Sequence, residues 1–199
     1  MATQAGLRER KKEATRIALA EAAARLVLEL GPDAVTTDAI AEAAGVSPRT
    51  FRNYFTSKEE AVVHSVRRRT ESLIPLLRDR PADEPIWAAM QNAIRESMGD
   101  ANATRQVASA IHLIGSRSSL LPHYFAWDME FEREIAEVIA ARTGTDAEVD
   151  LYPNLLATAL QGALKSGHRV WNSGRTGAAA PVDVVLEALA QLRAGIPEA

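Results

Sequence analysis

Residues 36–55 read TTDAIAEAAGVSPRTFRNYF, and this stretch decides the fold. From Thr37 to Ala44 the apolar side chains Ile40, Ala41 and Ala44 recur at helical spacing. Gly45 then turns the chain at a position that calls for φ > 0. Ser47 offers a capping hydroxyl and Pro48 fits the first helical position, so a second short helix starts there and ends near Tyr54. Ile40, Ala44, Val46, Phe51 and Phe55 can form a small apolar centre between the two helices, and Ala43 and Ala44 let them approach closely. The outward face of the second helix is left with Arg49, Thr50 and Asn53.

Working outward, residues 1–6 read as a loose terminus and a helix is expected from Leu7 to Gly31-Pro32-Asp33. Its inner side carries Ile17, Ala20, Ala24, Val27 and Leu28, while Arg8, Arg10, Lys11, Lys12 and Arg16 crowd its first turns. Ser57-Lys58-Glu59-Glu60 has the capping-box spacing and opens a fourth helix running towards Arg78, with a bend expected near Pro75. After a polar break at 81–85, helices are expected over 85–98, 104–114, 122–142, 146–173 and 182–192. No strand alternation and no repeat is visible. The expected fold is all-α, with a helix-turn-helix domain at 7–56 joined by the fourth helix to a helical body at 57–199.

The chemistry of residues 36–55 suits duplex DNA. A major groove about 12 Å wide admits one helix, and that helix must be short, exposed on one face and held from behind. Arg49 can bond guanine through two hydrogen bonds, Asn53 can bond adenine, and Thr50 can touch a thymine methyl or a phosphate. Thr37, Arg52, Tyr54 and Lys58 sit where phosphate contacts would fix the register. Lys11 and Lys12 can reach backbone from the first helix, and Arg8 a flanking minor groove. The charge distribution agrees. Net charge is −3, but residues 1–69 hold 12 Lys+Arg against 9 Asp+Glu, and the remainder holds 11 against 17. A basic head sits on an acidic body.

Residues 10–63 resemble the N-terminal domain of TetR-family transcriptional regulators. The resemblance is carried by RKKEATRIALAEAAARLVLELG and by TTDAIAEAAGVSPRTFRNYFTSKEEAV. It implies that Thr37, Ser47, Pro48, Arg49, Thr50, Asn53, Tyr54 and Lys58 occupy positions that commonly touch DNA. Two departures stand out: Arg52 replaces a frequent Tyr, and Tyr54 a frequent His before the final Phe. SPRTFRNYF is also similar to actinobacterial members with an acyl-CoA-like ligand domain. The resemblance further implies an effector pocket and a dimer interface in the body, and hence a homodimeric repressor released from a palindromic operator by a small apolar or amphipathic ligand.

In the body, Trp87, Met90, Ile94, His112, Tyr124, Trp127, Phe131 and Asn154 are the candidates for lining that pocket, with Phe125 and Trp171 beside them. His64, His112, His123 and His168 lie in different segments without metal-ligand spacing, so no metal or cofactor is expected. Asp128, Glu130, Glu132, Glu134 and Glu137 form an acidic cluster in which Asp128 with Glu132, and Glu130 with Glu134, share a face at i,i+4, as acid–base chemistry would need. Interspersed Arg133 and Arg142 favour a solvated face instead. No phosphate loop or nucleophile motif accompanies them. Leu151, Leu155, Ala159, Gly162 and Ala163, with Val185, Leu186, Leu189 and Leu192, suit a two-fold bundle with a second copy. One helix-turn-helix reads only a half-site, so a dimer is expected. Cysteine is absent, no apolar run approaches a membrane span and no secretory signal is visible, which places the protein in the cytoplasm as an expectation.

Overall fold

The computed structural model describes residues 2–116 and 120–196, apart from the side chains of 2–7, Ser116 and His123. The described residues include ten helices: α1 (Ala2–Leu30), α2 (Thr37–Ala43), α3 (Pro48–Arg52), α4 (Lys58–Glu71), α5 (Leu73–Arg78), α6 (Ile86–Ser97), α7 (Ala101–Ser116), α8 (Leu121–Thr143), α9 (Leu151–Asn172) and α10 (Pro181–Ala194). No strand occurs among them. Among the described residues no helix is long and apolar enough to cross a membrane.

The first three helices form one unit. Leu19, Ala20, Ala23 and Val27 on α1 pack with Ile40, Ala41, Phe51 and Phe55. α1 then runs alongside α4, through Ala61, Val62 and Val66. The apolar core continues without a break into the body, where α9 packs between α8 and α10.

Several boundaries differ from those expected. α1 starts at Ala2, because Ala and Gln are strong helix formers and nothing in 2–6 breaks the helix beyond one Gly. α4 does not bend at Pro75 but stops at Ser72, and the chain re-enters a helix at Leu73. Pro75 has no N–H to offer the Glu71 carbonyl and its ring crowds that position, so the break falls before the proline. α7 starts early because the Asp100 carboxylate accepts from the Asn102 and Ala103 amides. α9 starts late, at Leu151. The Asp150 and Asp146 carboxylates accept from the Asp146 and Glu148 amides and hold that stretch as a turn. The loop after α5 is fastened by Arg142, which donates to the carbonyls of Arg80 and Pro81 at 2.7 and 2.8 Å.

Candidate nucleic-acid interface and ligand cavity

Local chemistry builds the α2–α3 unit. Thr36 caps α2, its hydroxyl accepting from the Ala39 amide at 3.1 Å. Gly45 turns at φ 69°, in the left-handed region where a side chain would be strained. Ser47 caps α3 by accepting from the Thr50 amide at 3.1 Å, and its hydroxyl also lies 2.8 Å from that of Thr50. Phe51 and Phe55 are buried with ring centroids 5.8 Å apart. The short helix is therefore held by aromatic anchors, and Arg49, Arg52 and Asn53 stand exposed together at i, i+3 and i+4. Thr37, Pro48, Thr50 and Tyr54 are half-buried at the edges of this face, Tyr54 packing against the core.

Three neighbours brace the unit. Ser57 caps α4 through the Glu60 amide, while the Glu60 carboxylate reaches past Ser57 to the amide and hydroxyl of Thr56. Lys58 donates to the carbonyls of Pro32 and Val35 at 2.6 and 2.8 Å, which ties the start of α4 to the α1–α2 loop. The Arg16 guanidinium lies 5.4 Å from the centroid of the Phe55 ring. His64, which the sequence reading assigned no role here, sits 5.5 Å from the same ring. Burial, and then the charge of Arg16, lower its pKa. Lys11 and Lys12 are exposed on the first half of α1, with Glu9 3.7 Å from Lys12.

The body contains a cavity of about 290 Å³ between α4, α6, α7 and α9. Leu73, Ile94, Met98, Val107 and Leu164 form its apolar wall, and Arg68, Arg69 and His168 are its charged or titratable members. His168 is 4% exposed and neither ring nitrogen has a well-formed hydrogen bond. Burial pushes its pKa down to about 4, against a smaller opposing pull from the Leu164 carbonyl one turn earlier, so the ring is neutral at pH 7. His168, Thr70 and Leu164 also border a small cleft lined by Tyr124, Trp127 and Phe131. Asp128, on the wall of that cleft, is buried. It accepts from Lys165 at 2.5 Å and from Gln161 at 2.9 Å.

These features match known proteins over most of the chain. Residues 19–63 match the family of bacterial regulatory proteins, tetR family, and residues 84–197 match the MftR C-terminal domain of TetR-type proteins. The HTH-type transcriptional regulator TcmR of Streptomyces glaucescens is 34% identical over 173 residues, covering 83% of this chain and 76% of that protein. The chain belongs to the TetR family of transcriptional regulators. Solved TetR-type structures share its fold. A TetR-family regulator from Rhodococcus sp. superposes with a TM-score of 0.69 at 17% identity, covering 92% of this chain and 98% of that one. The fatty acid degradation regulator FadR of Bacillus halodurans gives 0.68 at 17%, covering 93% and 97%.

Within this TetR-family body the candidate ligand residues separate into groups. Ile94 lines the cavity, and Tyr124, Trp127 and Phe131 line the cleft beside it. Trp127 also donates to the Glu71 carboxylate at 3.0 Å, joining α8 to α4. Met90 is wholly buried in the core and Trp87 packs against it, both away from the cavity. His112 is exposed on α7. Asn154 is exposed and donates to the carbonyls of Ala147 and Asp150, where it fastens the turn before α9. Phe125 is exposed and Trp171 half-buried, and the His123 side chain lies outside those described. The acidic run on α8 resolves into pairs: Arg67 with Glu130, Thr158 with Glu132, Arg133 with Glu137, and the buried Asp128 network. Sequence reasoning missed Arg68, Arg69 and His168. The run Arg67-Arg68-Arg69 was visible, but such a run normally marks a solvated face.

The residues expected at the dimer seam also divide. Val185, Leu189 and Ala163 are buried inside the chain, because Gly167 brings α9 against α10. Leu151 and Leu155 are 76% and 62% exposed and Val170 is exposed further along α9. A Cβ at Gly162 would meet nothing.

Proposed function

We propose that this TetR-family regulator is a homodimeric repressor that binds a palindromic operator and leaves it when a small apolar or amphipathic ligand enters the α4–α6–α7–α9 cavity. One observation carries the DNA half: Arg49, Arg52 and Asn53 project from a helix whose other side is fixed by Phe51 and Phe55, and they have no structural task of their own. Arg49 and Asn53 read bases, with Thr50 at the groove edge. Thr37, Ser47, Pro48, Arg52, Tyr54, Lys11 and Lys12 position the backbone. Lys58, already holding two carbonyls, has one N–H left for a phosphate.

The exposed stripe of Leu151, Leu155 and Val170 on α9, with small Gly162 between, supports pairing with a second copy. Two copies whose recognition helices lie about 34–36 Å apart read successive turns of duplex. Ligand then acts by binding one spacing of those helices better than the other. The test is selection of bound duplexes by the full chain, followed by titration with and without ligand. A dyad-symmetric site is expected, with affinity falling steeply as salt rises. Recovery of no preferred sequence at any salt sinks the reading.

A further inference from the structure

We propose that the cavity takes an acidic amphiphile, whose anionic group displaces Glu21 of α1 from Arg68 and Arg69. The proposal deepens the effector reading above and rests on it. Glu21 is the shared partner of both arginines. Its carboxylate lies 2.6 Å from Arg68 and 3.6 Å from Arg69. Two guanidiniums on one carboxylate leave a surplus positive charge beside the cavity. The adjacent Arg67 adds no vacancy, being occupied by Glu71 and Glu130 at 2.7 and 3.5 Å. The Arg68 Nε is buried and has no acceptor. An anionic oxygen offers the two guanidiniums what a neutral hydrocarbon cannot, and a cation would meet repulsion.

The rest of the cavity defines the ligand further. Leu73, Ile94, Met98 and Val107 supply an apolar wall for a hydrocarbon or aromatic body. His168 is the second, independent observation. A neutral imidazole carries one donor and one acceptor; here the Leu164 carbonyl one turn earlier draws on the ring, but neither buried nitrogen makes a well-formed hydrogen bond. An unmet buried polar group is costly unless a ligand meets it. The ligand therefore carries an uncharged polar group part-way along its body as well as an acid at one end.

The arginines also say where the signal goes. Arg69 lines a second cavity of about 240 Å³, between α1, α4 and α7, together with Glu21, Ala24 and Leu28. Taking Arg68 and Arg69 from Glu21 loosens the α1–α4 seam at its middle. Five residues earlier on the same helix, Arg16 lies over Phe55, the anchor of the recognition unit. The ligand's charge is thus read by the helix that supports α3.

The test compares two fluorescent probes on the full chain: 8-anilinonaphthalene-1-sulfonate and N-phenyl-1-naphthylamine, which has the same rings without the sulfonate. The sulfonate is expected to bind about tenfold more tightly or better. Arg69→Gln is expected to remove most of that preference. Glu21→Gln, which removes the competitor, is expected to tighten sulfonate binding by about two- to fivefold and to leave the neutral probe unchanged. Equal affinities for the two probes, saturable binding of neither, or an unaltered sulfonate affinity in Glu21→Gln overturns the proposal. Operator affinity is scored separately on a labelled duplex. Sulfonate preference and the Glu21→Gln gain without any operator release support the anion site and count against the effector reading instead.

Discussion

The α2–α3 unit and the cavity in the body place their unmet hydrogen-bonding capacity on opposite sides. In α2–α3 the interior is apolar, with Ile40, Ala41, Phe51 and Phe55, and the capping hydroxyls of Thr36 and Ser47 are used locally. What remains unpaired there, Arg49, Arg52 and Asn53, points outward. In the body much of the acidic surface pairs its own charges, and among its buried groups without a well-formed hydrogen bond His168 and the Arg68 Nε belong to residues that line the cavity, as the Arg142 Nε does not. A surface built to meet a polymer keeps its donors in water until docking. A site built for a small molecule keeps them dry, at a cost in stability, until the molecule arrives.

The most disruptive way to break this contrast is Phe51→Ala. Truncating a buried aromatic costs about 3–5 kcal/mol, and the loss falls on the unit that Phe51 and Phe55 anchor to α1 and α2. Operator binding should vanish, while probe binding in the cavity persists in whatever fraction stays folded. Thermal unfolding together with both titrations checks this. Cavity binding lost in step with operator binding, at a temperature where the body is folded, would show that the two regions are not separable.

His168→Leu sharpens the other side. The native imidazole holds a pKa of about 4 against 6.5 when unfolded, so the unfolded chain binds the extra proton as pH falls through that window. Stability present above pH 6.5 is therefore lost progressively down to about pH 4. Removing the group should spare about 3 kcal/mol over that range, which denaturant unfolding at a series of pH values will read. At pH 7 the variant should be no less stable than the parent, since it removes two buried polar atoms that lack well-formed hydrogen bonds. Parallel pH profiles for the two proteins would refute the buried neutral state.

Arg49→Ala carries the smallest effect. It should cost about 1–3 kcal/mol on the preferred operator and little on random duplex, with melting unchanged, because the side chain is exposed. Equal losses on both duplexes, measured by anisotropy, would move Arg49 from base reading to phosphate contact.

The same contrast explains what could be read in advance. The recognition unit was legible because its determinants lie within twenty residues: the Ser47 cap, the Gly45 turn and the Phe51–Phe55 spacing each act on near neighbours. The cavity was not, because its walls come from four helices and sequence spacing does not say which side faces in. His112 and His168 look alike along the chain, each on a helix with apolar neighbours. Packing against α8 and α10 buries the second and leaves the first in water. Asn154 stands apart from the cavity for a related reason, since its amide answers to two carbonyls in the preceding turn. Pro75 signalled an interruption, but its steric reach is backwards, so the break came at Ser72.

Gly167, the residue before His168, fixes how the site can be re-engineered. A Cβ there would stand 2.5 Å from the Val185 Cγ2 and 2.8 Å from its Cα, so even alanine would drive α10 away from α9. The wall that carries His168 is therefore a fixed datum, as a machinist would use the word. New ligand preferences have to be cut into the movable walls, at Leu73, Ile94, Met98 and Val107. A library that spares Gly167 and Val185 and varies those four positions should yield folded proteins with altered appetites, whereas one that varies the seam should mostly yield misassembled bodies.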